Sequence, residues 1–204
     1  MRHIEFLVEE ESCAEALKVL IPRLVGATIS FDLHVFQGKA DLLNSLEARL
    51  KGYAKWLPND YRIVVLVDCD GDNCRALKKQ LEEAALAAGM QTKASAGGEG
   101  QYQVLTRIAI EELEAWFFGD VKAMKAAYPR VPATLAEKRG FRDPDAIAGG
   151  TWEKLERVLK AAGYYRAGMP KIEVARNVSR HMDPARNQSR SFQVFCRGLK
   201  ELVA

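Results

Sequence analysis

The sequence predicts an α/β protein: a layered, mostly parallel sheet with helices on both faces and a small helical extension at the carboxyl end. Three observations carry that prediction. Strand-like runs alternate with helix-periodic stretches from His3 to Phe118. Residues 61–67 show no polar alternation, which marks a central strand covered on both faces. Acids stand at the end of one strand after another, and in such sheets ligands gather beyond the strands' carboxyl ends.

The elements follow in order. His3–Val8 reads as a strand ending at Glu9, Glu10 and Glu11. Ser12 is the expected N-cap of a helix in which Cys13, Leu17, Leu20 and Leu24 recur at helical spacing, to about Val25. Ile29, Phe31, Leu33 and Val35 alternate with Thr28, Ser30, Asp32 and His34, so this strand has one wet face and belongs near a sheet edge. Leu42, Leu43, Leu46 and Leu50 make a second helix. After the central strand, Cys74, Leu77, Leu81, Ala84 and Ala88 make a third, stopped by Gly89. A short strand is expected near Thr92–Ser95, then a flexible stretch, Ser95–Gly100. Val104–Ile110 is a further strand, ending in Glu111, Glu112 and Glu114, and Glu111–Phe118 turns helical on Leu113, Trp116 and Phe117.

Beyond Asp120 the pattern weakens. Pro129, Pro132, Pro144 and Gly149-Gly150 cut the chain into short helices, with Trp152–Ala162 the clearest. Phe192, Phe195 and Leu199 form the apolar stripe of a last helix expected to dock on the core. The expected division is a core at 1–119 and a basic, mainly helical extension at 120–204 packed against it.

The bulk numbers narrow the function. The 204 residues suffice for one good core. No apolar run reaches membrane-span length, and no signal-peptide pattern precedes Arg2, His3 and Glu5. The four cysteines lack zinc-ligand spacing. A cytoplasmic protein with reduced thiols is the expectation. The net charge of +3 hides an asymmetry: residues 1–119 hold 13 Lys/Arg against 18 Asp/Glu, and residues 120–204 hold 17 against 9. An acidic half followed by a basic one suits a polyanionic substrate such as nucleic acid, and equally suits a solvated basic surface.

The acids define the chemistry. Asp68, Asp70 and Asp72 follow the central strand, where an uncompensated carboxylate is costly unless something positive sits beside it. Hard oxygen donors point to Mg2+, Mn2+ or Ca2+. A calcium-loop reading fails, because the glycine falls at loop position four and Lys79 stands where the bidentate glutamate belongs. Asp-x-Asp-Gly after a strand also suits a haloacid-dehalogenase-like phosphatase, but that motif belongs to a first strand and here two strand–helix units precede it. A third reading joins the clusters: phosphodiester cleavage by two metals about 4 Å apart needs several carboxylates in one place.

Phe6-Leu7-Val8-Glu9 before a helix, with Val65-Leu66-Val67-Asp68-Cys69-Asp70 after a later strand, resembles the Toprim core of topoisomerases, primases and overcoming-lysogenization-defect nucleases. Arg107–Trp116 and Asn187–Gln193 are similar to the Toprim-like bacterial family known as domain of unknown function 4276, over nearly the whole chain. The resemblance implies a Toprim-like layered fold and a metal-dependent nuclease acting on DNA or RNA, associated with anti-phage defence and an ATPase partner. It implies Glu9, Asp68 and Asp70 as catalytic metal ligands for Mg2+ or Mn2+. Asp72, Glu15, Glu112 and Glu114 are further candidates. The chain departs from the Toprim pattern at Glu10, where glycine usually follows the first glutamate. Asp72 reads equally well as a helix cap, and Glu114 as half of an ordinary ion pair.

At the basic end, Arg176, Arg180, Arg186 and Arg190 with Ser189 and Ser191 are candidate nucleic-acid ligands, since guanidinium and small hydroxyl groups bind phosphate. The local alternative has Ser191 capping the last helix and the arginines pairing with acids. His34 is expected at the surface, His181 in a structural role, Cys69 turned into the core, and Trp116, Trp152, Tyr164 and Tyr165 in packing. A rival function is a non-catalytic nucleic-acid-binding or regulatory subunit of an ATPase complex.

Overall fold

In a computed structural model of the chain, which describes residues 2–97 and 101–204, four parallel strands run in the order β2-β1-β3-β4. They are β1 (His3–Val8), β2 (Ser30–Val35), β3 (Tyr61–Asp68) and β4 (Val104–Ala109). The alternating strand β2 lies at an edge, and the apolar strand β3 in the interior, as their patterns require. The predicted strand at Thr92–Ser95 is reduced to one bridge, Thr92 to Val104, because Ser95 folds back on Thr92 in a turn. The stretch predicted flexible, Ser95–Gly100, lies partly outside the described residues.

Strand alternation sends side chains to two cores. Leu7, Ile63, Val65 and Val67 pack under α2 (Lys39–Ala54) and α3 (Cys74–Ala87), through Leu42, Leu46, Leu50, Leu77 and Leu81. Ile4, Phe6, Val8, Val64 and Leu66 pack under α1 (Glu11–Val25). That second core continues without a break into the carboxyl-terminal helices: α4 (Glu114–Phe118), α5 (Val121–Ala127), α6 (Thr151–Ala161), α7 (Lys171–Ser179) and α8 (Arg190–Val203). Residues 120–204 thus supply much of one face's cover. The architecture is a Toprim-like layered α/β sheet with a helical extension. Among the described residues no helix is long and apolar enough to cross a membrane.

Local chemistry corrects several expected boundaries. Glu10, not Ser12, is the N-cap of α1; Ser12 lies inside the helix and donates to the Glu10 carboxylate. Asn73, not Asp72, caps α3, accepting from the Arg75 and Ala76 amides. Ser189, not Ser191, caps α8, accepting from the Phe192 amide. The helix predicted from Glu111 begins only at Glu114, because Glu111 adopts φ 62° and gives its carbonyl to the Asp70 amide at 2.8 Å.

The segment 187–191 is an internal lock. Asn187 Nδ2 donates to the Trp116 carbonyl at 2.7 Å, and its Oδ1 accepts from the Ser189 amide at 2.8 Å. Ser189 Oγ donates to Asp145 at 2.7 Å, and Ser191 offers both its amide and its hydroxyl to the same carboxylate. Trp116, fully buried against Phe192 and Phe195, donates its indole N–H to Ser191 Oγ. Gly119 faces this lock so closely that a Cβ there would lie 2.1 Å from Asn187 Oδ1 and 2.8 Å from the Ser189 amide.

Two stability outcomes follow. Asn187→Ala strands two buried backbone partners and should cost about 2–4 kcal/mol in urea unfolding, given roughly 1–3 kcal/mol per unsatisfied group. Gly119→Ala should cost about 1–3 kcal/mol by overpacking against backbone. Substituting the exposed Gln188 to Ala is the control and should change stability by less than about 0.5 kcal/mol.

Candidate metal centre at the carboxyl rim of the sheet

β1 and β3 are neighbours, so the residues that follow them arrive side by side. Glu9 comes directly after β1, Asp68 closes β3, and Asp70 follows it by two. One carboxylate oxygen from each lies within 4.8 Å of the others. That spread is close to the roughly 4 Å between opposite donors of an ion with bonds of about 2.1 Å. Glu9 and Asp68 are buried while Asp70 faces solvent, which leaves one open side.

The loop geometry is strained to achieve this. Asp70 adopts φ 49°, unusual for a residue with a side chain, and Gly71 follows at φ 77°. The Cys69 amide bonds the Ala109 carbonyl and the Asp70 amide bonds Glu111, so the β3 and β4 loops are laced together. Cys69 is buried, as expected; its thiol donates to the Asp72 carbonyl, and burial pushes its pKa up to about 11.

The electrostatics call for positive charge. Burial, then repulsion from Asp70, raises Glu9 to about 7, countered only in part by the Asp68 amide and Lys39. Burial, then Glu9 and Glu114, holds Asp68 well above the carboxylate range. Burial raises Glu114 to about 8 even though Lys171 opposes it. Oε2 of Glu9 and Oε2 of Glu114 are buried without a hydrogen-bond partner. Unpartnered oxygens on crowded, dehydrated carboxylates are what a hard divalent cation satisfies, so this donor set fits one.

Two lysines, neither of them singled out by the sequence reading, supply part of that charge. Lys39 Nζ bonds Asp70 at 2.9 Å, Asp72 at 2.8 Å and the Cys69 carbonyl at 2.9 Å. Burial works against its charge, but the hydrogen bonds to Asp72 and Asp70 outweigh it and raise its pKa. Lys39 begins α2 just past the end of β2, so its place on the shared rim was the available signal. Lys171 begins α7 and reaches Glu10 at 3.8 Å; burial again opposes its charge and Glu114, then Glu10, outweigh it. It depends on the packing of α7 against α1, for which the sequence carries no local signal.

The remaining candidates are placed elsewhere. Asp72 is exposed and engaged with Lys39. Glu15 lies on α1 between Lys18 and Arg176, whose hydrogen bonds lower its pKa. Glu112 turns to the start of α6, accepting from Thr151 Oγ1 and the Trp152 amide. Arg186 clamps buried Asp120 through two 2.8 Å bonds, and Ser189 and Ser191 are bound to Asp145. Arg180 is exposed, and so is Arg190. Arg190 borders a cleft with Arg75, Lys78 and Arg107 that opens beside the start of α3 and has a volume of about 680 Å³. His34, expected at the surface, is half-buried and bonded to Glu5.

The family described as a domain of unknown function, DUF4276, matches residues 8–200. No curated protein and no solved structure matches the chain.

The sign of the pH dependence follows from these shifts. Glu9 and Glu114 bind protons more tightly folded than unfolded, where carboxyls titrate near 4.5. The stability they contribute is complete below about pH 4.5 and is lost as pH rises through about 7 and 8. In EDTA, Tm should therefore fall between pH 5 and 8, more steeply in Lys39→Met and less in Asp68→Asn. Millimolar Mg2+ or Mn2+ at pH 8 should restore Tm to the wild type but not to Asp68→Asn.

Proposed function

The chain belongs to the DUF4276 family, and from that premise we propose that it is a divalent-metal-dependent phosphodiesterase acting on DNA or RNA. The observation that carries this reading is the meeting of Glu9, Asp68 and Asp70 at one rim, with an unpartnered buried oxygen on Glu9. Glu9, Asp68 and Asp70 would hold Mg2+ or Mn2+, with Glu114 bordering them. The bound ion supplies Lewis-acid polarisation of a phosphoryl oxygen and activation of water.

The chain's own groups account for the rest. Lys39 holds Asp70 in its strained conformation and keeps an ammonium beside the open side, where negative charge builds on a phosphate under attack. Lys171 offsets Glu10 and Glu114 behind the site. The cleft lined by Arg75, Arg107 and Arg190, with Lys78 paired to Glu82 in its wall, offers guanidinium groups that can follow a phosphate backbone toward the rim. Asp143 and Asp145 stand in the same wall, Asp145 accepting from Ser189 and Ser191, so a strand there would rely on the arginines outnumbering these two acids. Of the arginines first singled out at the basic end, Arg190 is the one the proposal assigns to nucleic acid.

A second reading has one observation in its favour. Lys39 already pairs with Asp70 and Asp72, as an internal cation would in a non-catalytic nucleic-acid-binding subunit, such as one working beside an ATPase. Cleavage decides between them.

With Mn2+, the purified protein should nick plasmid or cut linear DNA or RNA, and Asp70→Asn and Glu9→Gln should each lower the rate by at least about 100-fold, more than loss of an outer-shell partner costs. Both variants should still bind the substrate. Binding without cleavage under every divalent ion would select the second reading. Replacing Arg75 and Arg190 together by Ala should reduce the slope of log K against log salt by about 1–2, each phosphate contact contributing about 0.7–0.9. An unchanged slope removes the cleft from the interface.

A further inference from the structure

A second cluster of donors lies at the opposite end of β1, about 13 Å along the strand from Glu9 at roughly 3.3 Å per residue from Glu5. His3 and Glu5 alternate on the face that carries α2, and Glu5 pairs in register with Asp32 on β2. His3 and Glu5 are more than nine-tenths buried, while Asp32 is open to solvent.

Ser30 holds the His3 ring in place. His3 Nδ1 lies 2.8 Å from Ser30 Oγ, which is itself 3.1 Å from the Arg2 carbonyl, so one ring nitrogen is engaged at the start of β2. The other ring nitrogen, Nε2, faces Glu5 and Asp32. It is buried without a hydrogen-bond partner, yet it lies 3.4 Å from Glu5 Oε1 and 3.5 Å from Asp32 Oδ2. A buried ring nitrogen and two carboxylate oxygens thus face one another with no hydrogen bond made from the ring to either oxygen.

Those distances match the spacing of donors around a shared cation. Two donors on a tetrahedral ion with bonds of about 2.0–2.1 Å stand about 3.3 Å apart. The surrounding groups hold the donors in the manner of a metal site's outer shell. Ser30 orients the His3 ring, on which Tyr61 lies at 4.6 Å between centroids. Glu5 Oε2 accepts from His34 Nε2 at 2.5 Å and from Tyr53 OH at 3.2 Å, which leaves Oε1 free to face His3. Arg49 donates to His34 Nδ1 at 3.1 Å, so the proton His34 carries is the one on Nε2, given to Glu5.

We propose that His3, Glu5 and Asp32 bind a borderline divalent ion, Zn2+ or a close relative, at a site separate from the carboxylate rim. The imidazole distinguishes the two ends chemically: an all-carboxylate set suits Mg2+ or Mn2+, and a neutral imidazole with two carboxylates suits Zn2+. A cleft of about 250 Å³ lined by Glu5, Asp32, His34, Arg49 and Trp56 opens beside the cluster and gives the ion a path in. The proposal does not depend on the phosphodiesterase reading.

The test uses the full chain carrying Asp70→Asn, which disables the rim, titrated with Zn2+ by equilibrium dialysis and with Co2+ by visible absorption. One ion should bind per chain, with the intense Co2+ bands of a four-coordinate site. Adding Asp32→Asn, an exposed substitution that should leave the fold intact, or His3→Gln should weaken Zn2+ binding by at least about 100-fold and abolish those bands. Circular dichroism in EDTA checks that each variant is folded. Absence of Zn2+ binding to the Asp70→Asn protein, or binding unchanged in both added variants, overturns the site. Manganese-dependent cleavage, which tracks Asp70, is read separately and can fail or succeed on its own.

Discussion

Like charge collected where β1 and β3 end is the constraint to which much of this structure answers. A parallel sheet brings its carboxyl ends to one rim, and here that rim carries Glu9, Asp68 and Asp70, with Glu10 and Glu114 close behind. Burial makes the repulsion strong, because there is little water to screen it. Two lysines from different elements partly offset it, Lys39 from the start of α2 and Lys171 from the start of α7. The strained backbone at Asp70 and Glu111 belongs to the same arrangement: lacing the two loops together holds the acids in place against their mutual repulsion.

The carboxyl-terminal half completes this rim and does more than add a basic surface. Its helices continue the hydrophobic core over α1, bring Lys171 to the acids and shut Glu114 away from solvent. Its polar motif, Asn187 to Ser191, is spent on the joint with Trp116, Gly119 and Asp145. Charge counted along a chain does not say which cations are free. Arg186 and Arg176 are taken by Asp120 and Glu15, and Lys78 by Glu82, whereas the exposed Arg190 shares a cleft with Arg75 from the acidic half of the sequence.

One strand thus connects two chemically different ends. Beyond its last residue stand oxygen donors crowded by burial; at its first residue stands an imidazole held by Ser30. The edge position of β2 is what leaves Asp32 and His34 within reach of solvent, where the same pair on an interior strand would be covered. The sheet's order therefore sets both the convergence of Glu9 with Asp68 and the openness of the opposite cluster.

Much of this fold is legible in the sequence, because strand and helix periods are local and this chain's are clean. The apolar run at 61–67, the alternation from Ile29 to Val35 and the stripe Cys74–Ala88 each declare an element. The rule that parallel strands share a rim places Glu9, Asp68 and Asp70 together. What remains is decided by partners distant in the chain. Glu112 and Glu114 are two residues apart, yet one caps α6 and the other is buried, since a turn at Glu111 sets where α4 begins. Ser189 and Ser191 look like phosphate ligands until Asp145 takes them. Lys171 and the unpartnered ring nitrogen of His3 acquire meaning only from α7 on α1 and from β1 beside β2. A sequence states which groups a chain carries and the period at which they repeat; only the tertiary structure assigns each charge and proton its partner, because those interactions act through space.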